Sequence, residues 1–565
     1  FIRNIVHTSV FRHWQSVAKS HITIDDNFGE GDSCMGYFKD LREHIAALDK
    51  EGLLVKIDEQ INKDTELMPL VRWQFRGLSE EERRAFMFTN VVDAKGRKYD
   101  IPVVVGTLAA SRRIYGFGVQ CQPEEIVDRW NKAQNNPIAP KIVDNAPVHE
   151  VVYTGSSLME KGGLGEFPVP ISTPGYDCAP FTTASHWFTK DPETGNINVG
   201  NYRGHIKSPT RTGVFLSSSN HGGYHWRKCQ ERGIPLQAAL VIGAPPCVSY
   251  TAPARIPFNV SELDVAGGLA GAPVEVVKCK TNDVLVPANA EIVIEGEIST
   301  EFLEPEAPFG ESTGYIAERL LNPYFEVKCI THRINPIFAT IISQMPPSES
   351  SVMRQVAAEG NYLRFLRDQC NIPGIIEVAF HSIAVRQICV IKMKKINQAH
   401  VWQALHSMIG YNPATGKMVI AVDDDINPRN LDSLFWAMAF RMQPHRDVLI
   451  VRNRTPQMDP SVFPPGQEVG HSLDEIAGAS AMLMDATRKW DYPPVSLPKK
   501  EYMERAKQLW ERLELPKLKP QDPWFGYNLG LWSEEDESEA QAAVKGDHYE
   551  TGEKRLQQRV RVKKF

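Results

Sequence analysis

The stretch Ser261–Gly296 reads SELDVAGGLAGAPVEVVKCKTNDVLVPANAEIVIEG, and it passes from a helical pattern into a strand pattern. Ser261 is a residue type that caps helix N-termini, and Asp264 three positions later makes a variant of the capping box. Val274–Cys279 and Glu291–Ile298 are rich in β-branched residues and are separated by Asn, Asp and Pro, as strands joined by turns are. The stretch therefore predicts a short helix followed by strands of a sheet.

The strand pattern extends over the middle of the chain, about Val151–Met345. Gly and Pro separate its strands, which suits a barrel-like sheet. The other strands predicted here are Gln237–Ile242, Tyr324–His332 and Ile337–Ile342.

Helical patterns flank this sheet on both sides. Before it, Leu41, Ile45 and Leu48 keep one helical face apolar, so the chain starts as an α+β region. After it, Ser350–Cys370 is a long helical pattern that could link two domains. Alternating strands and helices then form a second α/β unit: Ile375–Phe380, Arg386–Lys392 and Met418–Val422, with helices near Ala399–Ile409 and Leu431–Arg441.

We therefore expect six regions along the chain. They are a leader or disordered extension (1–34), an N-terminal α+β region (35–150), a barrel domain (151–345), a linker helix (346–370), a C-terminal α/β domain (371–495), and a C-terminal helix with a polar tail (496–565). The leader is expected because the first 24 residues carry basic residues and no acid, as transit peptides do. The charged runs Ser533–Glu539 and Lys554–Lys564 predict a solvated or disordered tail.

The composition excludes several classes of protein. The 565 residues include 63 basic and 69 acidic side chains, for a net charge of −6, which argues against a nucleic-acid-binding protein. No apolar run approaches the roughly 20 residues of a membrane span. The nine cysteines are scattered and never spaced C-x-x-C, which indicates reduced thiols in a cytoplasmic compartment and no cysteine-built zinc site.

Three motifs contain residue types that can bind ions or substrates. Each of these residues also has a purely structural explanation. Arg203, at the end of NVGNYR, is either paired with a carboxylate inside the sheet or solvated at a sheet edge. His221 is followed by two glycines, so it is either a metal ligand beside closely approaching backbone or a loop histidine. Glu262, in a first helical turn, either compensates the helix dipole or offers an oxygen to a hard cation.

The stretch Leu303–Tyr315, LEPEAPFGESTGY, crowds three glutamates around a tight turn. An Arg held by one Glu, beside a second Glu that can exchange a proton, makes an acid–base unit; the alternative is a surface turn. The same stretch contains G-x-S-x-G around Ser312, the nucleophile elbow of serine hydrolases, with His471 as a conceivable partner. Pro305 and Pro308 interrupt the strand that such an elbow requires.

Taken together, these motifs resemble the UbiD-type decarboxylases, which use prenylated FMN. The resemblance runs from about Phe38 to Lys489. It rests on motifs that occur in this order: NVGNYR at Asn198–Arg203, NHGG at Asn220–Gly223, the opening stretch at Ser261–Gly296, EAPFGESTGY at Glu306–Tyr315, VDDDINP at Val422–Pro428 and MDATRKW at Met484–Trp490.

The resemblance implies an α+β fold with a split β-barrel that binds the flavin, joined by a long helix to a C-terminal α/β oligomerisation domain. It also implies a divalent cation, Mn²⁺ or Mg²⁺, and K⁺ at the flavin phosphate. The divalent ligands would be Asn198, His221 and Glu262, and Lys392 would lie on the phosphate side. A flavin prenyltransferase would supply the cofactor, and the protein would be a homo-oligomer, either dimer or hexamer.

The resemblance further implies roles for the Arg–Glu–Glu set. Glu306 would pair with and orient Arg203 beside the cofactor, and Glu311 would protonate the carbon after CO₂ leaves. The implied reaction is the reversible, non-oxidative decarboxylation of an aromatic or α,β-unsaturated acid through a covalent adduct with prenylated FMN.

The chain also departs from the phenylacrylate-type relatives. The segment before His221 is Ser217–Asn220, more polar than theirs, which favours a polar or larger substrate: a hydroxybenzoate, a phthalate-like acid or an aromatic acyl-CoA. The C-terminal Pro523–Trp532 resembles relatives that act on ring carboxylates, or it is an aromatic plug against the core or a partner subunit. A serine hydrolase using Ser312 and a non-catalytic flavin-binding protein remain the alternatives.

Overall fold

The computed structural model describes residues 37–217, 220–257, 260–306, 308–455, 459–462 and 479–561. The expected leader (1–34) and His471 lie outside the described residues. None of the helices in the described ranges is long and apolar enough to cross a membrane.

The middle of the chain forms a nine-stranded antiparallel sheet that curls into a half-barrel, as the sequence predicts. Its centre is a long hairpin of the strands Ile292–Glu306 and Leu320–His332, and its remaining strands lie on both sides of that hairpin. On the side of Ile292–Glu306 the strands follow in the order Leu236–Ile242, His186–Lys190 and Ile197–Asn201. On the side of Leu320–His332 they follow in the order Arg211–Gly213, Gly204–Ser208 and Phe181–Thr182. The strand Val151–Thr154 also pairs with Leu320–His332.

Two helices of this region begin at candidate site residues. One is His221–Glu231, and the other is Glu262–Ala270. Ser261 caps the second helix as predicted, but its side chain accepts from the backbone N–H of Leu263, and the expected capping box with Asp264 does not form. The prediction failed because Ser261 reaches the nearer N–H instead.

Paired glycines let the Glu262 helix lie against the neighbouring helix Ile126–Asn135. A Cβ on Gly267 would lie 2.2 Å from the carbonyl oxygen of Ile138, and one on Gly268 would lie 2.5 Å from that of Ala133. Both distances are far below contact distance, so only glycine permits this approach. This close packing fixes the position of the helix that begins at Glu262.

The N-terminal region shares one hydrophobic core with the half-barrel. Its sheet has the order Leu54–Ile57, Ala85–Phe88, Val103–Val105 and Phe338–Ala339. The predicted strand Ile337–Ile342 is therefore only two residues long and belongs to this sheet. The predicted strand Val274–Cys279 is observed as Glu275–Lys278. It belongs to a separate three-stranded sheet with Leu285–Pro287 and Lys141–Ile142. A further small sheet contains Ile61–Asn62, Val91–Val92 and Lys98–Tyr99. The other α-helices before the linker helix are Leu41–Lys50, Leu67–Gly77, Arg112–Gly118, Ile126–Asn135, Ser156–Glu160 and Pro246–Thr251.

The linker helix spans Glu349–Arg364 and is followed by a π turn, Phe365–Gln369. Glu359 on this helix is fully buried and accepts hydrogen bonds from Arg112, from Arg429 at 2.9 Å, and from the backbone of Phe380. Burial disfavours the charged form, yet Arg112 and Arg429 hold the pKa of Glu359 at about 2. The linker helix thus ties the N-terminal region to the C-terminal unit through one carboxylate.

The C-terminal unit is a five-stranded mixed sheet in the order Ile375–Phe380, Ile388–Met393, Met418–Val422, Ala481–Asp485 and Val448–Val451. Its middle three strands are parallel and its two outer ones antiparallel. Apolar cores lie on both faces, as expected for an α/β layer. Its helices are Gln398–Tyr411, Leu431–Arg441 and Pro444–Asp447.

The tail is not disordered in its described part. After the helix Lys500–Arg512, the acidic run starts the helix Glu534–Lys545, which packs with His548–Leu556. Ser533 caps the acidic helix, and its early acids are favoured by the helix dipole. Of the two alternatives the solvated one holds here, because neither helix has a buried residue, and opposite charges meet between the two helices, as in the ion pair of Lys554 with Glu535.

Candidate functional site

Arg203 and two glutamates form a nearly buried ion cluster at the end of the long hairpin. Glu306 is the last residue of its strand, and its two oxygens accept from Nε and Nη2 of Arg203, both at 2.7 Å. Glu311 accepts from Nη1 of the same guanidinium. The side chains of Arg203 and Glu306 are 9% and 1% exposed, so this Arg is paired inside the sheet and is not a solvated edge residue.

Aromatic rings and an amide fix the orientation of this cluster. The guanidinium carbon of Arg203 lies 4.5 Å from the ring centre of Phe215 and 5.3 Å from that of Phe309. Asn322, on the opposite strand, donates to Glu306 at 3.2 Å. Because Glu306 occupies the Nε–Nη2 edge of the planar guanidinium, another anion reaches it at Nη1.

Glu311 lies in a tight loop, Phe309–Ala317, that joins the two hairpin strands. The backbone N–H of Glu311 donates to the carbonyl of Tyr315 at 2.7 Å, and Gly310 pairs with Ile316. The sequence predicts a second Glu beside the paired Arg that can exchange a proton; the structure has Glu311 in contact with Arg203, and its proton exchange stays a prediction. Ser312 sits within this hairpin loop and not between a strand and a helix, so the geometry of a nucleophile elbow is missing.

Asp177 supports the same loop, and no sequence pattern predicts this role. Its carboxylate accepts from the backbone N–H of Thr173 at 2.7 Å and from that of Gly310 at 3.2 Å. Burial raises the pKa of Asp177 to about 6, although these N–H donors and Arg203 favour the charged form. It lies in no recognisable motif, and only the fold brings it beside Gly310 and thus next to Glu311.

Asn198, His221 and Glu262 come together from one strand and two helix starts. Asn198 lies on the strand Ile197–Asn201, and the other two are the first residues of their helices. Nδ1 of His221 is 3.5 Å from Oε1 of Glu262, and Oε2 of Glu262 accepts from the backbone N–H of Val199 at 3.1 Å. Amide oxygen, imidazole and carboxylate form a donor set that suits a divalent cation.

The same place also suits a phosphate. Both helices present their N-terminal ends here, and the positive dipole of a helix start attracts anions. Gly222 lets the ring of Tyr202 pack against the start of the first helix, because a Cβ there would lie 2.9 Å from that ring. The residues present therefore fit a cation bound together with a phosphate group.

A buried polar chain behind Asn198 fixes its side-chain amide. The amide nitrogen of Asn198 donates to Oγ1 of Thr189 at 3.3 Å, and that hydroxyl also bonds Nδ1 of His225 at 3.0 Å. Burial lowers the pKa of His225 to about 4, so the ring is neutral. This bond to the nitrogen fixes the orientation of the Asn198 amide.

The structure does not join Lys392 to this group. Lys392 lies on the strand Ile388–Met393 of the C-terminal sheet, between Ile375–Phe380 and Met418–Val422. In the described part of the chain, no hydrogen bond or ion pair connects it to Asn198, His221 or Glu262. Its role at a phosphate stays a prediction.

Comparison with known proteins gives matches over most of the chain. Residues 141–346 match the family model of the 3-octaprenyl-4-hydroxybenzoate carboxy-lyase Rift-related domain, and residues 351–486 match that of the C-terminal domain of the same carboxy-lyase. An uncharacterized protein of Archaeoglobus fulgidus is 29% identical over 510 residues, which cover 84% of this chain and 98% of that protein.

Two solved structures show the same fold. The UbiD-class enzyme HmfF from Pelotomaculum thermopropionicum, in complex with FMN, has a TM-score of 0.72 and 28% identity, covering 83% of this chain and 99% of its own. The vanillic acid decarboxylase of Sedimentibacter hydroxybenzoicus, in closed form, has a TM-score of 0.72 and 25% identity, covering 84% of this chain and 99% of its own.

Proposed function

The chain belongs to the UbiD family of carboxy-lyases, and from this premise we propose that it removes CO₂ reversibly from an aromatic or α,β-unsaturated acid, with prenylated FMN as cofactor. The observation that carries the proposal is the Arg203 cluster. A buried guanidinium held by Glu306 through its Nε–Nη2 edge and by Glu311 through Nη1 combines a carboxylate-binding group with a proton-exchanging group.

The cofactor assignment is supported by the fit of the site and by the relatives. HmfF is described in complex with FMN, and an evolved dimeric form of it in complex with prFMN. Here Asn198, His221 and Glu262 would hold Mn²⁺ or Mg²⁺ against the flavin phosphate, with K⁺ as the second cation. When bound, prenylated FMN supplies the electrophile and electron sink that an sp² carbon needs to lose CO₂.

The protein's own groups then divide the remaining work. Glu306 fixes the plane of Arg203, whose Nη1 side faces Glu311. A substrate carboxylate would compete with Glu311 for that Nη1 side, and the displaced Glu311 would be free to carry a proton. After CO₂ leaves, the proton passes from Glu311 to the product carbon.

The surroundings favour a polar aromatic acid. The rings of Phe181 and Phe309 pack at a tilt with centres 4.3 Å apart beside the cluster, and the ring of His205 stacks on Phe181 at 4.7 Å. A hydroxybenzoate, a phthalate-like acid or an aromatic acyl-CoA matches such a mixed wall. We further propose a homo-oligomer, dimer or hexamer, matured by a flavin prenyltransferase.

The test is to co-express the chain with a flavin prenyltransferase, then to record its visible spectrum and the mass of the released cofactor. Prenylated FMN, together with decarboxylation or isotope exchange on a panel of aryl acids, is the expected result. Ordered cofactor without either reaction would favour the non-catalytic flavin-binding alternative. Glu311→Gln should retain the cofactor and lose the reaction, and an unchanged rate would refute its role as proton donor.

A further inference from the structure

The Glu311 loop, residues 309–317, packs through two glycines against a neighbouring part of the chain. A Cβ on Gly310 would lie 2.3 Å from Cγ of Gln344, and one on Gly314 would lie 2.7 Å from Sδ of Met345. Both distances are far below contact distance, so the loop lies directly against these two side chains. The position of Glu311 therefore depends on where Gln344 and Met345 are held.

Arg72, on the helix Leu67–Gly77, clamps residues 343–345. Its Nη1 donates to the carbonyl of Met345 at 2.9 Å, and its Nη2 donates to the carbonyl of Ser343 at 2.6 Å and to Oε1 of Gln344 at 2.9 Å. Among the described residues no ion pair joins Arg72 to a carboxylate. The guanidinium thus holds three consecutive residues through oxygen atoms that carry no net charge.

Gln344 is held in an unfavourable state. Its φ of 66° lies in the left-handed region, which residues other than glycine rarely adopt. The residue is 4% exposed, and its Nε2 is buried with no hydrogen-bond partner among the described residues. Both features destabilise a fold, and backbone strain of this kind clusters at functional sites. A function explains this conformation better than stability does.

The backbone of Glu311 bonds inside its own loop. Its N–H donates to the carbonyl of Tyr315 at 2.7 Å, and its carbonyl accepts from the N–H of Gly314 at 3.0 Å. The loop is tied to the rest of the protein by the bond from the N–H of Gly310 to Asp177 and by the packing on residues 343–345. A displacement of that segment is therefore passed on to Glu311.

We propose that Arg72 and Gln344 are positioning residues for Glu311 and act on it through residues 343–345. The inference rests on the proposed function, in which Glu311 leaves Nη1 of Arg203 and carries a proton to the product carbon. Proton transfer requires hydrogen-bond reach, and a misplacement of about 1 Å can lower a rate about 100-fold. Arg72 should therefore affect the proton step and not the binding of cofactor or substrate.

The first experiment measures amide hydrogen exchange of the Glu311 loop by mass spectrometry, in the full chain without cofactor. Arg72→Met removes three donated bonds and should speed exchange of this loop about fivefold or more. Arg454→Met is the matched control, because Arg454 also donates to three main-chain carbonyls, but in the C-terminal unit. It should leave exchange of the Glu311 loop unchanged.

A second variant separates the side chain of Gln344 from its backbone strain. Gln344→Gly accepts the positive φ without strain and removes the side chain that lies against Gly310. It should also speed exchange of the Glu311 loop, even though strain is relieved. A purely structural role of this segment would give slower or unchanged exchange in the Gly variant.

The second experiment uses the protein loaded with prenylated FMN and an aryl acid that the wild type converts. Arg72→Met and Gln344→Gly should lower kcat about tenfold or more and leave KM and cofactor affinity within about twofold. General loss of structure would lower the melting temperature and change cofactor affinity as well, so the split between kcat and KM identifies a positioning role.

Unchanged exchange of the Glu311 loop in both variants would overturn the inference. An equal rise in Arg454→Met would overturn it too, and so would a raised KM at unchanged kcat. Because the exchange measurement needs neither cofactor nor turnover, the two proposals fail separately. Absence of decarboxylation by the wild type would contradict the proposed function, whereas unchanged exchange in the variants of an active enzyme would contradict the positioning role alone.

Discussion

Replacing Asp177 by Asn should remove a pH dependence that the wild-type protein carries in the loop of Glu311. The pKa of Asp177 is raised by burial from its ordinary value of 3.8 to about 6 in the folded state. The folded protein therefore binds the proton more tightly than the unfolded chain does. Stability from this group falls as pH rises from about 4 to about 6 and is constant above that range.

The magnitude follows from the size of the shift. A rise of about 2 units at about 1.4 kcal/mol per unit gives a loss of about 3 kcal/mol across this range, as an upper limit since the side chain is partly exposed. Asn carries no charge and has no such loss, although one of the two N–H groups, of Thr173 or Gly310, then loses its acceptor. The melting temperature of wild type minus that of the Asn variant should thus decrease by a few degrees between pH 4 and 6.

The assay is thermal melting of both proteins at closely spaced pH values, because other titrating groups cancel in the difference. Asp144→Asn, at an exposed position, is the matched control and should give a flat difference. A flat difference for Asp177→Asn would refute the reasoning, and a difference that increases with pH would show that the carboxylate is stabilised in the fold.

Two further predictions concern the candidate cation site. Thr189→Val removes the hydroxyl that holds the amide of Asn198, so the affinity for Mn²⁺ measured by calorimetry should fall about 10–100-fold. Thr65→Val, at an exposed position, is the control and should leave the affinity unchanged. Equal affinities of the two variants would show that Thr189 does not orient Asn198. Gly267→Ala places a methyl group 2.2 Å from the carbonyl oxygen of Ile138 and should lower the free energy of unfolding by about 1–3 kcal/mol. Gly410→Ala, in a helix with open space around it, should be neutral or stabilising by up to about 1 kcal/mol. Equal shifts of the melting temperature in the two variants would contradict the packing described.

The sequence predicts those features that depend on local patterns. The helix Leu431–Arg441 and the strands Ile375–Phe380 and Met418–Val422 have the predicted bounds, because apolar periodicity and turn residues define them. The grouping of Arg203 with its two glutamates follows from the motifs, because the family resemblance relates positions that are far apart in the chain.

Features that arise only from tertiary contacts escaped prediction. Asp177 and Thr189 act through bonds to Gly310 and Asn198, which no spacing rule connects to them. The short strand Phe338–Ala339 follows the barrel in sequence yet pairs with Val103–Val105, because pairing partners depend on topology. The acidic run forms a helix whose carboxylates pair with Lys554 and Arg555 of the helix that follows, a contact between elements that no local pattern predicts.

The buried Glu359 has a consequence for how this chain is made. Its two arginine partners lie far apart in sequence, Arg112 well before the linker helix and Arg429 well after it. During synthesis Arg112 and the linker helix emerge before Arg429. Until Arg429 leaves the ribosome, Glu359 has only one of its two arginine partners. A carboxylate buried with too few partners is strongly destabilising, and therefore the N-terminal part cannot close fully ahead of the C-terminal unit. Full closure around Glu359 is therefore coupled to synthesis of the chain as far as Arg429.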